Sequence, residues 1–143
     1  MKVLFDLNVL LDVIQRREPH FGASAAVCAM AVRREVSAFV PAHAVTTVAY
    51  IVRKYADAKK ESEVLNWLLA GFTVAPSGHQ DMLRAKSLKM ADFEDVVVVA
   101  TAESSRCSVI LSRNVSDFKG SPVPVLTPEE FLAGRETARP SKR

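Results

Sequence analysis

Hydrophobic residues along this chain alternate between short continuous runs and longer stretches with helical spacing. A short apolar run bounded by polar or turn-forming residues predicts a strand covered on both faces, because a parallel sheet packs against helices above and below. We predict such strands at residues 2–5 (KVLF), 36–40 (VSAFV), 71–76 (GFTVAP), 108–112 (SVILS) and 123–126 (VPVL). The sequence therefore predicts a sheet of about five short strands.

The stretches between these runs have the spacing of amphipathic helices. Val45, Val48, Ala49 and Val52 fall at i, i+3, i+4 and i+7, so they share one face of a helix. We predict helices at residues 8–17 with Asn8 as the cap, 23–34, 42–55, 60–70, after a capping box of Ser77 and Gln80, 92–106, and from Thr127-Pro128-Glu129-Glu130 onwards.

The segment DFEDVVVVATAESSR (92–106) fits both patterns. Its β-branched run is typical of a strand, but its length and its acidic start are typical of a helix, and we predict a helix. Strands that alternate with helices indicate an α/β protein, here a three-layer α/β/α sandwich around a mostly parallel sheet. We expect residues 1–133 to form this one domain and residues 134–143 to be a basic, disordered tail.

Composition narrows the class of protein without naming a function. The 143 residues are 49% hydrophobic, which suits one compact core, and the net charge of +3 is compatible with a polyanionic partner but does not identify one. Cys28 and Cys107 lack a metal-binding spacing, so we expect reduced thiols in the core. No apolar run approaches the roughly 18 residues of a membrane span, so we expect a cytoplasmic protein without a membrane partner.

Acidic residues interrupt the apolar pattern at the ends of predicted elements. Asp6 follows the first strand, the acids Asp92, Glu94 and Asp95 begin a helix, and Asp117 follows the fourth strand. Sites in parallel sheets lie beyond the carboxyl ends of the strands, where such residues can meet. Clustered carboxylates repel each other unless a cation joins them, and a hard ion such as Mg²⁺ prefers oxygen ligands. The pattern favours metal-assisted phosphodiester or phosphoryl chemistry.

Each of these residues also fits a purely structural role. Asp6 is a suitable cap for the helix that follows, residues 92–95 complement a helix dipole, and Asp117 can fix a turn. Asp12 lies on the first predicted helix, where we expect it to be solvated. The three histidines show no zinc-type spacing and are expected at the surface or in caps: His20, His43 and His79.

Three motifs together resemble the PIN-domain family, which includes the VapC-type toxin ribonucleases. They are VLFDLNVLLDV, DFEDVVVVATAE, and ILSRNVSDF followed by VPVLTPEEFL, and the likeness extends from about Lys2 to Leu132. The resemblance implies a three-layer α/β/α fold and a Mg²⁺- or Mn²⁺-dependent nuclease, usually acting on single-stranded RNA. It also implies that Asp6, Asp95 and Asp117 are the catalytic and metal-binding acids.

The same resemblance assigns supporting roles to the neighbours of these acids. Asn8, Ser112 and Asn114 would orient the carboxylates through hydrogen bonds. The family commonly places a Glu on the helix after the second strand, whereas PAHAVTTVAYIVRK has no acidic residue there. Glu94 is a candidate replacement ligand.

Three hypotheses follow, from different classes of protein. The leading one is a metal-dependent endoribonuclease, the toxin of a toxin–antitoxin pair, that binds RNA and an antitoxin protein and forms a homodimer; Arg16, Arg17 and Arg113 are candidate RNA contacts. The second is a PIN fold that binds RNA or protein without cleavage, favoured by the missing Glu. The third is a phosphoryl-transfer protein of the haloacid-dehalogenase or receiver type with an aspartate nucleophile, which normally needs a lysine where Arg113 stands.

Overall fold

The computed structural model describes residues 1–138, which form five β-strands, seven α-helices and one 3-10 helix. The strands are β1 (Lys2–Phe5), β2 (Ser37–Pro41), β3 (Thr73–Ala75), β4 (Val109–Leu111) and β5 (Val125–Leu126). The helices are α1 (Leu7–Ile14), α2 (Phe21–Val32), α3 (Ala42–Tyr55), α4 (Ala58–Gly71), α5 (His79–Ser87), α6 (Phe93–Ser104), the 3-10 helix η1 (Val115–Phe118) and α7 (Pro128–Ala138). None of these helices is both long enough and apolar enough to cross a bilayer.

The five strands form one parallel sheet in the order β3-β2-β1-β4-β5. The chain adds β2 and β3 on one side of β1 and then crosses over to add β4 and β5 on the other side. The winding direction therefore changes between β1 and β4. In open α/β sheets this change leaves a crevice outside the carboxyl ends of the two strands, and ligands bind there.

Both faces of the sheet are buried, as the apolar runs predict. Val3 and Phe5 of β1 belong to a core cluster that includes Val27 of α2, while Leu4 belongs to a second cluster that includes Val98 of α6. Successive side chains of a strand point to opposite faces, so one short run of apolar residues serves two helical layers. The predicted three-layer α/β/α sandwich and its central parallel sheet are confirmed.

The ambiguous valine-rich segment is a helix, as predicted. Val96 and Val97 of α6 pack in a cluster with Ala85 of α5, whereas Val98 and Val99 pack in the cluster beneath the sheet. A helix with apolar residues on all sides must be buried on all sides. This double burial explains why β-branched residues, which have modest helix propensity, are tolerated here.

Two predicted helix caps differ from those in the structure. The N-cap of α1 is Asp6, whose Oδ1 accepts a hydrogen bond from the Leu7 N–H at 2.9 Å, so Asn8 is not the cap. The cap of α5 is Gly78, whose N–H donates to Oδ2 of Asp81 at 2.8 Å.

The predicted capping box of Ser77 and Gln80 is therefore wrong. The Ser77 hydroxyl is hydrogen-bonded to the Thr101 hydroxyl of α6 instead, at 2.7 Å. The Ser77 side chain therefore makes a tertiary contact with α6, although the local pattern predicts that it caps α5.

The last helix extends beyond the predicted domain boundary. Its start forms the capping arrangement that the sequence predicts, with Thr127 N–H donating to Glu130 Oε1 at 2.9 Å and Glu130 N–H donating to Thr127 Oγ1 at 3.0 Å. Helix α7 continues to Ala138, beyond the predicted boundary at residue 133. Residues 139–143 lie outside the described part of the chain.

The two cysteines are buried, free thiols, as predicted. Burial raises the pKa of Cys28 to about 12 and the pKa of Cys107 to about 11. Because the thiolate is the reactive form, neither group is activated as a nucleophile or a metal ligand. Both residues fill core space.

Candidate active site

Asp6 stands where β1 ends, at the crevice between β1 and β4. Its backbone N–H still donates to the carbonyl of Leu111 in β4 at 2.9 Å, so the sheet fixes its main chain. Its side chain already caps α1, and only 9% of the residue is exposed. The position follows from the sequence, since Asp is a preferred cap residue where a strand passes into a helix.

Hydrogen bonds hold the Asp6 carboxylate in one orientation. Oδ2 accepts from the Ser112 hydroxyl at 2.9 Å and more weakly from the Asn8 amide at 3.5 Å, while Oδ1 accepts from the Leu7 N–H. Burial raises the pKa of Asp6, and the bonds from Ser112 and Leu7 lower it in part. A charge that is costly to bury is kept in place by donors, which is the support that metal-binding carboxylates require.

Asn8 joins α1 to the loop that follows β4. Its Oδ1 accepts from the backbone N–H of Arg113 at 3.1 Å, and its amide nitrogen donates to the Ser112 hydroxyl at 3.3 Å. The same hydroxyl accepts from the backbone N–H of Asn114 at 3.1 Å. The predicted supporting residues Asn8, Ser112 and Asn114 therefore meet, although Asn114 participates through its backbone and its side chain is exposed.

Asp117 lies one turn further along this loop, in the 3-10 helix η1. Its N–H donates to the carbonyl of Asn114 at 3.0 Å, so the position of Asp117 depends on the position of residues 112–114. The residue is exposed. Its side chain is therefore accessible from solvent.

The third acidic group is the start of α6. Asp92 is the N-cap, and its Oδ1 accepts from the N–H of Glu94 at 2.8 Å and from that of Asp95 at 3.4 Å. Capping therefore occupies Asp92 and leaves the other two carboxylates available. Glu94 is exposed and Asp95 is half-buried.

The acids of these separate elements share one electrostatic field. The pKa of Asp95 is raised to about 6, first by burial and then by the negative charges of Asp6, Asp92, Asp117 and Glu94. Like charges shift a pKa in this way only when they are close and poorly screened. The structure thus brings together the three predicted acids, and Glu94 with them.

This set of donors suits a divalent cation, although it is not yet arranged around one. Among the described residues, no group of three His, Cys, Asp or Glu side chains is already placed to hold a metal ion. The available donors are carboxylate oxygens, which hard cations such as Mg²⁺ and Mn²⁺ prefer. Because the carboxylates repel each other without a cation, the donor chemistry fits such an ion and the repulsion gives it a stabilising role.

His43 is a site neighbour that the sequence analysis missed. The charge of His43 lowers the pKa of Asp6, so the half-buried imidazole is near the crevice. His43 is the second residue of α3, which follows β2 directly, and β2 pairs with β1 in the register Leu4 to Phe39. A parallel neighbour of β1 places its following residues beside Asp6, so His43 is found only once the strand order is known.

The absence of an acid on α3 is also a feature of the structure. The hydroxyls of Thr46 and Thr47 donate to the carbonyl of His43 at 3.1 and 2.9 Å, and Tyr50 is 65% exposed. The side chains in the region where the family commonly has a Glu therefore serve the helix or face solvent.

The structure contradicts the expectation for Asp12. Asp12 is 0% exposed, and its Oδ2 accepts from Arg113 Nε at 3.0 Å and from the Ser24 hydroxyl at 3.2 Å. Asp12 is therefore not solvated, and the Nε of Arg113 is engaged in an ion pair with it. Arg16, by contrast, is exposed and lies over the ring of Phe21 at 5.6 Å.

Comparison with known proteins agrees with this fold and these motifs. A family model described as a PIN domain matches residues 2–116, a match that stops one residue before Asp117. Ribonuclease VapC1 of Aquifex aeolicus (strain VF5) is 27% identical over 135 residues, which cover 91% of this chain and 92% of that protein.

Solved structures with the same fold include toxin–antitoxin complexes. One is VapBC2 from Rickettsia felis bound to a promoter DNA fragment, with a TM-score of 0.70, 12% identity, and coverage of 89% of this chain and 98% of that one. Another is a toxin–antitoxin complex from Klebsiella pneumoniae, with a TM-score of 0.67, 22% identity, and coverage of 88% and 97%. These likenesses show the fold, and the family match removes the haloacid-dehalogenase and receiver alternatives. The chain belongs to the PIN-domain family.

Proposed function

We propose that this protein is a Mg²⁺- or Mn²⁺-dependent endoribonuclease that cleaves single-stranded RNA as the toxin of a toxin–antitoxin pair. The proposal is supported mainly by Asp95, whose pKa is raised first by burial and then by negative charges that include those of Asp6 and Asp117, acids from two other elements. A relative named as a ribonuclease, at 27% identity over almost the whole chain, supports the reaction class.

The described residues have distinct tasks in this reaction. Asp6, Asp95 and Asp117 would hold the cation, with Glu94 as a further oxygen donor. When bound, a divalent cation supplies Lewis-acid stabilisation of the phosphate charge and lowers the pKa of a water molecule. Ser112 and Asn8 keep the Asp6 carboxylate oriented through the bonds at 2.9 and 3.5 Å, so that this ligand does not have to be ordered during catalysis.

Cleavage of a single-stranded RNA, with and without Mn²⁺, tests the proposal. We expect the wild type to cleave with Mn²⁺ and to stop when EDTA is added. Asp6→Asn keeps the shape of the side chain but removes its charge, and we expect it to lower the rate by at least about 100-fold, since even partners of metal ligands are worth about 10- to 100-fold.

The matched control is Glu63→Gln, which neutralises an exposed carboxylate on α4. We expect this variant to cleave like the wild type. Equal cleavage by the wild type and Asp6→Asn would remove the proposed site.

The partners of this proposal are an antitoxin protein and a second copy of the chain. The similar solved folds are described as VapBC and toxin–antitoxin complexes, which supports an antitoxin partner here. A small DNA-binding protein encoded next to this gene should form a complex with the chain on co-expression. Light scattering of the isolated chain should give the mass of a homodimer rather than of one 15.7 kDa chain.

A PIN fold that binds RNA or protein without cleaving it is the second candidate. It is favoured by α3, which has no acidic residue, and by the lack of a ready-made metal cluster among the described residues. Calorimetric titration with Mn²⁺ separates the two. Absence of binding at millimolar Mn²⁺ would favour the non-catalytic protein, and saturable binding that Asp6→Asn abolishes would favour the nuclease.

A further inference from the structure

A buried ion pair lies directly behind the acidic crevice. Arg113 Nε and Asp12 Oδ2 are 3.0 Å apart; the Arg113 side chain is 25% exposed and the Asp12 side chain is 0% exposed. The two residues are separated by 101 positions in the sequence, so the contact connects α1 to the loop after β4. None of the roles proposed above for catalysis or metal binding uses this pair.

Two side chains on consecutive turns of α1 hold the same residue of that loop. Asn8 and Asp12 are four positions apart, so they lie on one face of the helix. Asn8 Oδ1 accepts the backbone N–H of Arg113 at 3.1 Å, and Asp12 accepts its guanidinium. Arg113 is thereby fixed at both its main chain and its side chain.

Arg113 is the counter-ion of the buried Asp12 carboxylate. Its Oδ2 receives the bonds from Arg113 and Ser24, but its buried Oδ1 has no hydrogen-bond partner among the described residues. A buried carboxylate with unused acceptor capacity is costly unless a cation compensates for it. Such a group is retained at a cost to stability, which calls for a role other than stability.

The geometry of the loop supplies that role. Arg113 lies between Ser112, which donates to Asp6 at 2.9 Å, and Asn114, whose carbonyl accepts the N–H of Asp117 at 3.0 Å. Displacing Arg113 would therefore move both Ser112, which donates to Asp6, and the turn that carries Asp117. We propose that Asp12 and Arg113 are positioning residues, whose buried ion pair sets the distance of Asp117 from Asp6. The inference rests on the proposed metal-dependent function only for its consequence in catalysis.

Two measurements on Asp12→Asn test the proposal, and the first needs no metal. Hydrogen exchange of the Arg113 and Asp117 amides, relative to a β1 amide in the same sample, should speed up by at least about 10-fold, because the loop opens locally without global unfolding. In a Mn²⁺ titration the affinity should fall by about 10- to 100-fold, the usual cost of losing a residue that orients ligands.

The double variant Asp12→Asn/Arg113→Met separates positioning from stability. It leaves no buried charge, so its thermal midpoint should recover relative to Arg113→Met alone. Its Mn²⁺ affinity and its exchange at Asp117 should nevertheless stay as altered as in Asp12→Asn. A purely structural pair would show recovery of all three quantities together.

Two controls match the kinds of change that are made. Val48→Ala removes buried methyl groups from α3 and so lowers stability by leaving a cavity in the core. Arg84→Met removes the exposed ion pair between Arg84 of α5 and Glu103 of α6. Neither should change relative exchange at Asp117 or the Mn²⁺ affinity of the folded protein.

Wild-type exchange at Asp117 together with wild-type Mn²⁺ affinity in Asp12→Asn would overturn the positioning role and leave the proposed function intact. A wild type that binds no Mn²⁺ would overturn the proposed function, and with it the catalytic consequence of the pair. The metal-free exchange measurement would then still decide whether the pair fixes the loop.

Discussion

The two sides of the acidic crevice are built in opposite ways. On the α1–β4 side, formed by Asp6, Asn8, Asp12, Ser112 and Arg113, every charge has a donor or a counter-ion within 3.5 Å. On the α6 side, formed by Asp92, Glu94 and Asp95, only the cap Asp92 is used by the fold. Burial, and then the neighbouring carboxylates, raise the pKa of Asp95 to about 6.

The two sides therefore differ in how their carboxylates are compensated. On the α1–β4 side, hydrogen bonds hold the Asp6 carboxylate in one orientation. The α6 side keeps negative charge uncompensated, which raises the free energy of the metal-free protein and favours any cation that relieves the repulsion. Breaking the first side should cost stability, and neutralising the second should increase it.

The largest effect is expected from Arg113→Met on the α1–β4 side. The change leaves the carboxylate of Asp12, which is 0% exposed, without its counter-ion. Loss of one partner of a buried pair costs about 3–5 kcal/mol. Urea unfolding at pH 7 should show this loss, whereas Arg84→Met, which breaks an exposed pair, should cost no more than about 1 kcal/mol. Similar losses in both variants would contradict the burial argument.

The next effect is expected from Ser112→Ala on the same side. The buried hydroxyl donates to Asp6 and accepts from Asn8 and Asn114, so its removal should cost about 1–3 kcal/mol. Since the Ser112 bond lowers the pKa of Asp6, that pKa should rise further, which NMR titration of the carboxyl carbon can measure. Ser108→Ala, which removes an exposed hydroxyl bonded to the Lys2 carbonyl, should leave both quantities nearly unchanged.

A smaller effect of opposite sign is expected from Asp95→Asn on the α6 side. The folded protein binds a proton at Asp95 more tightly than the unfolded chain does, so stability falls as the pH rises from about 4, the unfolded value, through about 6. In EDTA at pH 7 the variant should therefore be the more stable protein, by less than about 1 kcal/mol because solvent screens this half-buried group. The difference in thermal midpoint should shrink towards zero at pH 4, and a variant less stable at pH 7 would contradict the repulsion.

The smallest effect is expected from Glu94→Gln. The side chain is exposed, so its loss should change the free energy of unfolding by no more than about 0.5 kcal/mol. Its charge raises the pKa of both Asp6 and Asp95, so Mn²⁺ affinity should fall, but by less than in Asp95→Asn. If Glu94→Gln lost as much Mn²⁺ affinity as Asp95→Asn, Glu94 would contribute as much to metal binding as Asp95 does.

The sequence predicts those parts of this molecule that depend on local pattern. The apolar runs predict the strands and their two-sided burial, and the position of Asp6 after β1 follows from one strand end. Helix α6 is predicted because its length and acidic start favour a helix more strongly than its valines favour a strand. These features need only neighbours within one or two turns of the chain.

The features that the sequence analysis misses depend on contacts between distant segments. Asp12 looks like a solvated helix residue until Arg113, 101 positions away, is brought against it by the pairing of β1 with β4. Ser77 does not cap α5, because its hydroxyl is hydrogen-bonded to the hydroxyl of Thr101 in α6. His43 reaches the site only because β2 lies beside β1. In each case a side chain with a plausible local role has a different partner in the fold.

Asp117 provides the most direct test of the central claim, that acids from three elements form one catalytic metal site. It lies just beyond the residues that the family model matches, and its place depends on the α1–β4 side. The measurement is the rate of single-stranded RNA cleavage by Asp117→Asn at saturating Mn²⁺. We predict a rate at least about 100-fold below that of the wild type. A rate equal to that of the wild type would contradict the claim, because the loop after β4 would then contribute no acid to the site.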